Sequence, residues 1–215
     1  MKVTKGLKNA HSSYPTILTL GTFDGIHQGH KTIISKLTGE SKKNNLRSII
    51  LTFFPHPRNV VGSEKIKSIS TLDEKIEIFY KLEIDELIIQ NFDKSFSNIS
   101  AEEFVKLLVD NLNLKKIIVG YNHRFGKNRS ADISVLKDFS LKYNFEVVEI
   151  KAFEVEKIKI SSTKIRNAIS EGNINVCNSY LGYNFSINGI VVIGKSIGKS
   201  IGFPTANINI VEEYK

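Results

Sequence analysis

Leu18-Thr-Leu-Gly-Thr-Phe-Asp-Gly-Ile-His-Gln-Gly-His30 runs an apolar strand into a glycine-rich turn that ends in His27-x-Gly-His30. Thr16 to Leu20 is a short β-branched and apolar run of the kind that forms a buried strand, and Gly21, Gly25 and Gly29 follow it. Beyond Gly29, Ile33, Ile34 and Leu37 recur at helical intervals. The spacing predicts a helix with His30 near its N-terminus, where free N–H groups and the helix dipole favour an anion. His27 and His30 are three residues apart, so one helical turn can aim both rings at a single phosphate. A tight glycine turn with two exposed histidines would read the same way, and the motif needs a second half.

Outward from this stretch, strand-like and helix-like segments alternate. Strands are expected at Thr16 to Leu20, Ser48 to Phe53, Glu86 to Gln90, Lys116 to Gly120 and Phe145 to Ile150. Thr71-Leu-Asp-Glu74 and Ser100-Ala-Glu-Glu103 have the form of capping boxes, each followed by apolar residues at helical spacing. A further helix is expected from near Asp132, with Ile133, Leu136, Phe139 and Tyr143 on one face. This alternation predicts an α/β fold, a Rossmann-like parallel sheet covered on both faces, with ligands at the carboxyl ends of the strands. The loops after the first, second and fourth predicted strands should then share one edge. Past Gly182 the pattern changes to Phe185-Ser-Ile-Asn-Gly-Ile-Val-Val-Ile193, a strand entering a glycine-rich loop, so a boundary is expected there.

The second half of the motif is Ile160-Ser-Ser-Thr-Lys-Ile-Arg166. Ser161, Ser162 and Thr163 offer N-cap hydroxyls before the helical spacing of Ile165 and Ile169, and Arg166 lies one turn in. Hydroxyls and N–H groups at a helix start, with an arginine able to make bidentate contacts, form a second anion clamp. Alone, the segment would read as an ordinary serine cap with a surface arginine.

Together the two motifs resemble the nucleotidylyltransferase superfamily. Four ordered stretches, Gly21 to His30, Phe53-Phe-Pro-His-Pro57, Val119 to Arg129 and Ser161 to Arg166, are similar to the signatures of the bacterial bifunctional riboflavin kinase and FAD synthetase family. A fifth, Gly194-Lys-Ser-Ile-Gly-Lys-Ser-Ile-Gly-Phe-Pro-Thr-Ala-Asn207, resembles the opening of that family's β-barrel flavokinase domain. Departures are His123 where an aromatic is usual, the absence of a glycine that often stands near Ser130 or Ala131, and Lys199 where arginine is usual.

The resemblance implies an FMN adenylyltransferase domain over residues 1–181 and an incomplete β-barrel kinase segment over 182–215, with kinase activity expected to be absent. It implies transfer of AMP from ATP to FMN, with magnesium carried in on the nucleotide and riboflavin as the substrate of the family's kinase half. His27, His30 and Arg166 are then the expected catalytic residues, the histidines at the α-phosphate and departing pyrophosphate. Gly21, Thr22, Phe23, Asp24, Ser161, Ser162 and Thr163 are expected at the nucleotide, although Asp24 is equally explained as an Asp-Gly turn residue. Pro55, His56, Asn122 and Arg124 are candidates for the flavin, His56 equally as a rigid loop residue; Thr205 and Asn207 are candidates for magnesium in the kinase segment. Two other readings stay open: a related enzyme with a different nucleotide or acceptor, and a fragment that binds without turnover.

Composition bounds these expectations. A chain of 215 residues accommodates one sizeable domain and a fragment. No apolar leader or long apolar run is present, so a cytoplasmic protein with no membrane association is expected. The single cysteine, Cys177, excludes an internal disulfide and a cysteine-based zinc cluster. The net charge of +8 also fits a nucleic-acid binder, but the lysines are scattered, which points to a solvated surface and to phosphorylated small molecules.

Overall fold

In the computed structural model, which describes residues 1–63, 65–151, 153–155, 158–195 and 197–210, strand β1 (Lys2–Lys5) precedes β2 (Thr16–Leu20), helix α1 (Gln28–Asn44) and β3 (Arg47–Phe54). There follow α2 (Pro57–Val61), α3 (Leu72–Lys81), β4 (Glu86–Asn91), α4 (Lys94–Ser97), α5 (Ala101–Leu112) and β5 (Leu114–Gly120). Then come α6 (Ile133–Tyr143), β6 (Glu146–Ile150), the antiparallel pair β7 (Glu154–Val155) and β8 (Ile158–Lys159), and α7 (Ser162–Ser170) and α8 (Ile174–Leu181). Last are β9 (Gly189–Val192), α9 (Ile197–Ser200) and β10 (Asn207–Ile210).

Strands β1 to β6 form one parallel sheet in the order β1-β4-β3-β2-β5-β6. All five expected strands are present, and both capping boxes are made, by Thr71 with Glu74 and Ser100 with Glu103. Alternate side chains of each strand point to opposite faces. Leu18, Leu20, Ile49 and Leu51 face Phe104, Leu108 and Leu136, whereas Ile17, Ile50 and Leu87 face Ile34, Leu37 and Phe79. Every residue of β2 is therefore buried, as a strand covered on both faces requires.

The edge strand β1 carries no apolar run that would mark it. Val3 is exposed, and the strand is held by its ladder to β4 and by the Thr4 hydroxyl, which donates to Glu86 at 2.5 Å. Glu86 is buried and also pairs with Lys2 and Arg47.

After β2 the chain proceeds to β3 and β4 on one side and later returns to β5 on the other side of β2. The crevice at the carboxyl ends of β2 and β5 is thus the switch point at which such sheets bind ligands. The loop after β2 lies between the loops after β3 and β5, so the three loops share one edge. Helices α7 and α8 pack against the loop before α3 through Ile69, Ile165, Ala168, Cys177 and Leu181. Beyond α8, β9 and β10 make an antiparallel ribbon whose residues are all exposed.

Candidate nucleotide site

The loop from Gly21 to His27 is tightly wound. Phe23 (φ 47°), Gly25 (φ 78°) and Ile26 (φ 34°) all adopt positive φ, which is costly for Phe and more so for a β-branched residue. Such a loop persists only if its surroundings hold it. Phe23 and Ile26 are buried in the core, and a Cβ at Gly25 would stand 2.8 Å from the Ile69 side chain. The Phe23 ring meets His30 edge-on at 5.1 Å and Phe79 at 5.7 Å. Phe23, whose backbone is expected at the nucleotide, supplies through its side chain an apolar floor beneath His30.

Asp24 is the hub that joins the two motifs, a role the reading of a plain Asp-Gly turn does not capture. Its carboxylate is 1% exposed; one oxygen accepts from the N–H groups of Ile69 (2.9 Å) and Ser70 (3.3 Å) and the other pairs with the Arg166 guanidinium. The Ser162 hydroxyl donates to the Asp24 carbonyl at 2.9 Å. Arg166 also donates from Nε to the Lys67 carbonyl at 3.0 Å. The arginine expected as a bidentate anion clamp is therefore oriented by a buried carboxylate from the first motif. Ser161 caps α7, accepting from the Lys164 N–H, and Thr163 is exposed in the first turn.

The two histidines lie at the start of α1. His27 is its N-cap, its Nδ1 accepting from the His30 N–H at 3.3 Å, and the rings stack at 3.6 Å with 16° between planes. A Cβ at Gly29 would stand 3.2 Å from the His27 ring, so the glycine permits the stack. Burial holds His27 down to about 4 against the pull of Asp24. Burial, with the charges of His27 and Lys75, drives His30 well below its ordinary value. Both rings are neutral at neutral pH and offer hydrogen bonds rather than charge. The His30 Nδ1 is buried without a hydrogen-bond partner, which marks it as poised for one that is not part of the fold.

The flavin candidates flank this centre. Pro55 is exposed after β3, and the neighbouring His56 caps α2 by accepting from the Arg58 N–H at 3.1 Å. Burial lowers His56 to about 4, with Asp24, Arg166, Lys75 and Arg58 all acting on it, so this ring faces the charged cluster of the two motifs. After β5, Asn122 and Arg124 are exposed. His123 stacks on Phe125 at 5.8 Å and 18°, and burial and Arg129 lower it to about 4. A neutral imidazole here packs as an aromatic ring would. In the last segment, Thr205 and Asn207 are exposed, their side chains lying against the backbones of Gly198 and Gly194.

Sequence reasoning missed Lys75. It is 6% exposed, and its ammonium donates a long hydrogen bond to the Thr22 carbonyl at 3.5 Å, which also accepts from the Thr52 hydroxyl at 3.3 Å. The signal was present. Lys75 falls on the stripe of Leu72 and Phe79, and a lysine in the first turns of a helix opposes the dipole.

Residues 9–164 match the family model of FAD synthetase and residues 181–215 that of riboflavin kinase. A protein of Buchnera aphidicola subsp. Schizaphis graminum, described as a bifunctional riboflavin kinase/FMN adenylyltransferase, is 39% identical over 98% of this chain and 69% of its own length. Its counterpart of the same description in Escherichia coli (strain K12) is 34% identical over 97% of this chain and 68% of its own length. A crystal structure described as a macrolide-efflux protein from Streptococcus pneumoniae superposes with a TM-score of 0.89 at 27% identity, over 100% of this chain and 71% of that one. The pantoate-beta-alanine ligase of Francisella tularensis, at 14% identity and a TM-score of 0.50 over 88% of this chain and 90% of its own, shares the fold alone. No helix of the described residues is long and apolar enough to cross a membrane. With both family models in chain order and these relatives matched over nearly all its residues, the chain belongs to the bifunctional riboflavin kinase/FMN adenylyltransferase family.

Proposed function

We propose that this chain transfers AMP from ATP to the 5′-phosphate of FMN, giving FAD and pyrophosphate. The observation that carries the reading is the Asp24 hub, which binds the His27-x-Gly-His30 loop and the Ser161 to Arg166 helix start into one centre at the carboxyl edge of the sheet. The family membership above supports the same reaction.

The FMN phosphate is itself the nucleophile at neutral pH, so the reaction needs no protein base and no covalent intermediate. One phosphate oxygen bonds to the α-phosphorus of ATP, and the bond from that phosphorus to the β-phosphate oxygen breaks with its electron pair on pyrophosphate. What the protein supplies is alignment and charge neutralisation. His27 and His30, neutral and stacked, donate hydrogen bonds to the α-phosphate and the departing pyrophosphate. Arg166, Ser162 and Thr163 hold the β- and γ-phosphates, with Ser161 capping their helix. Gly21 and Thr22 bring the backbone close to the nucleotide, and Phe23 and Asp24 act from beneath it. Pro55, His56, Asn122 and Arg124, on the two flanking loops, receive the flavin.

Among the described residues there is no group of three His, Cys, Asp or Glu that could hold a metal ion, and both carboxylate oxygens of Asp24 are engaged. Magnesium enters this reading as the companion of ATP, held chiefly by phosphate oxygens and water, and no step depends on a protein-held ion. Thr205 and Asn207 are read as magnesium and nucleotide contacts of the kinase segment. The boundary between the two functional parts is placed at 181/182, where α8 ends on Gly182 in a left-handed cap. ATP and FMN as substrates support a cytoplasmic location for the reaction.

Purified protein incubated with magnesium and ATP or CTP, with FMN or riboflavin as acceptor, and resolved by flavin chromatography tests the reading. FAD formed from FMN and ATP is expected. Its absence, or a preference for CTP, would overturn the assignment.

A further inference from the structure

The site presents an anion with fewer cations than its motifs suggest. Burial keeps His27 and His56 near 4 and drives His30 well below its ordinary value, so none of the three carries charge at neutral pH. Arg166 is charged but tied to the Asp24 carboxylate. Two further cations act on this cluster, the exposed Arg58 on His56 and the buried Lys75 on both His30 and His56, and the Lys75 ammonium stands at the Thr22 carbonyl, between the strand end and the His27-x-Gly-His30 turn.

Its position on α3 is unusual. A surface lysine lays its stem on the protein and puts its ammonium in water. Lys75 does the reverse, sharing the core-facing stripe of Leu72 and Phe79 and remaining 6% exposed. The stripe thus delivers an ammonium under the loop whose backbone takes positive φ at Phe23, Gly25 and Ile26. Close by is the His30 Nδ1, buried and without a partner in the fold. A buried ammonium beside polarised imidazoles, at a strand's carboxyl end, has the chemistry to bind phosphoryl oxygens.

We propose that Lys75 is a catalytic residue of the adenylyl transfer, its ammonium binding the phosphoryl oxygens of the nucleotide at the Thr22–His30 loop and neutralising the charge that shifts onto pyrophosphate as the bond breaks. The proposal rests on the adenylyltransferase reading above. It assigns the fixed positive charge of this half of the site to a residue outside both motifs, with the histidines as neutral donors.

The test uses Lys75→Met and Lys75→Gln in the full chain, read by FAD formation and by calorimetric binding of inorganic pyrophosphate. Both variants are expected to fold, to lose about 100-fold in kcat with a smaller change in KM for FMN, and to bind pyrophosphate about tenfold more weakly. Wild-type turnover or unchanged pyrophosphate affinity in either folded variant would overturn the proposal, and loss of the fold in both would make Lys75 a structural residue and overturn it too. Wild-type protein that makes no FAD would sink the adenylyltransferase reading separately, while the pyrophosphate arm would still decide whether Lys75 binds phosphate.

Discussion

Asp24→Asn removes one charge from the hub while keeping its shape, and the structure sets the cost. The retained carbonyl oxygen can still accept from Ile69 and Ser70, at 2.9 and 3.3 Å in the native protein. On the other side an amide NH2 would face the Arg166 guanidinium, donor against donor. Asp24 is 1% exposed and the Arg166 side chain 14% exposed, so the arginine would keep its charge with little water to solvate it. Breaking a buried pair from one side costs about 3–5 kcal/mol, and the partial access of Arg166 favours the lower end, about 3 kcal/mol. Urea unfolding of Asp24→Asn, Arg166→Met and the double variant would isolate the pair. The single acidic change should lose about 3 kcal/mol, and the double variant should recover about 2 kcal/mol of the summed losses, because neither charge is then left alone. A coupling below about 0.5 kcal/mol would refute the hub, since independent sites add to within that margin.

His30→Ala should leave the fold intact and lower FAD formation by roughly 100- to 1000-fold, the effect of losing a preorganised donor; near-normal turnover of the folded variant would exclude His30 from the chemistry. Stability should fall on acidification: His27, His56 and His123 sit near 4 when folded against an ordinary value of 6.5. The unfolded chain thus binds more protons between pH 6.5 and 4, each group costs up to about 2 kcal/mol at pH 5, and a melting temperature flat from pH 7 to pH 5 would contradict their burial. Gly25→Ala should cost about 2–4 kcal/mol, because its φ of 78° is strained for alanine and the new methyl would stand 2.8 Å from Ile69; a loss below 1 kcal/mol in urea would show that the loop yields.

What the sequence disclosed and what it hid divide along physical lines. Strands such as Thr16–Leu20 are covered on both faces, and burial on both sides writes a continuous apolar run that local reading detects. Capping boxes are also local, since Thr71 and Glu74 satisfy each other across three residues. Strand β1 is held by its ladder to β4 and by Glu86, a residue eighty-two positions away, so Lys-Val-Thr-Lys carries no pattern of its own. The hub was hidden for the same reason. Both halves of the site were legible as motifs, but that Asp24 would bind Arg166 depends on where two distant segments meet, whereas the inward turn of Lys75 was written locally, in its place on the stripe of Leu72 and Phe79.

The order in which a ribosome delivers the chain gives the ties across the site a temporal meaning. The sheet is complete once Ile150 has been added, yet the loop at Gly25 is closed from much later in the chain. Ser162 and Arg166 reach Asp24 across 138 and 142 residues, and the Tyr183 hydroxyl reaches the Gly25 carbonyl at 2.6 Å across 158. Contacts of such separation form late, after the local ones that precede them. A nascent chain can therefore hold a finished scaffold while its Gly21–His27 loop still lacks the ties that fix its strained backbone. Completion of this loop would arrive as a separate, later event of maturation, triggered by the emergence of α7, α8 and Tyr183.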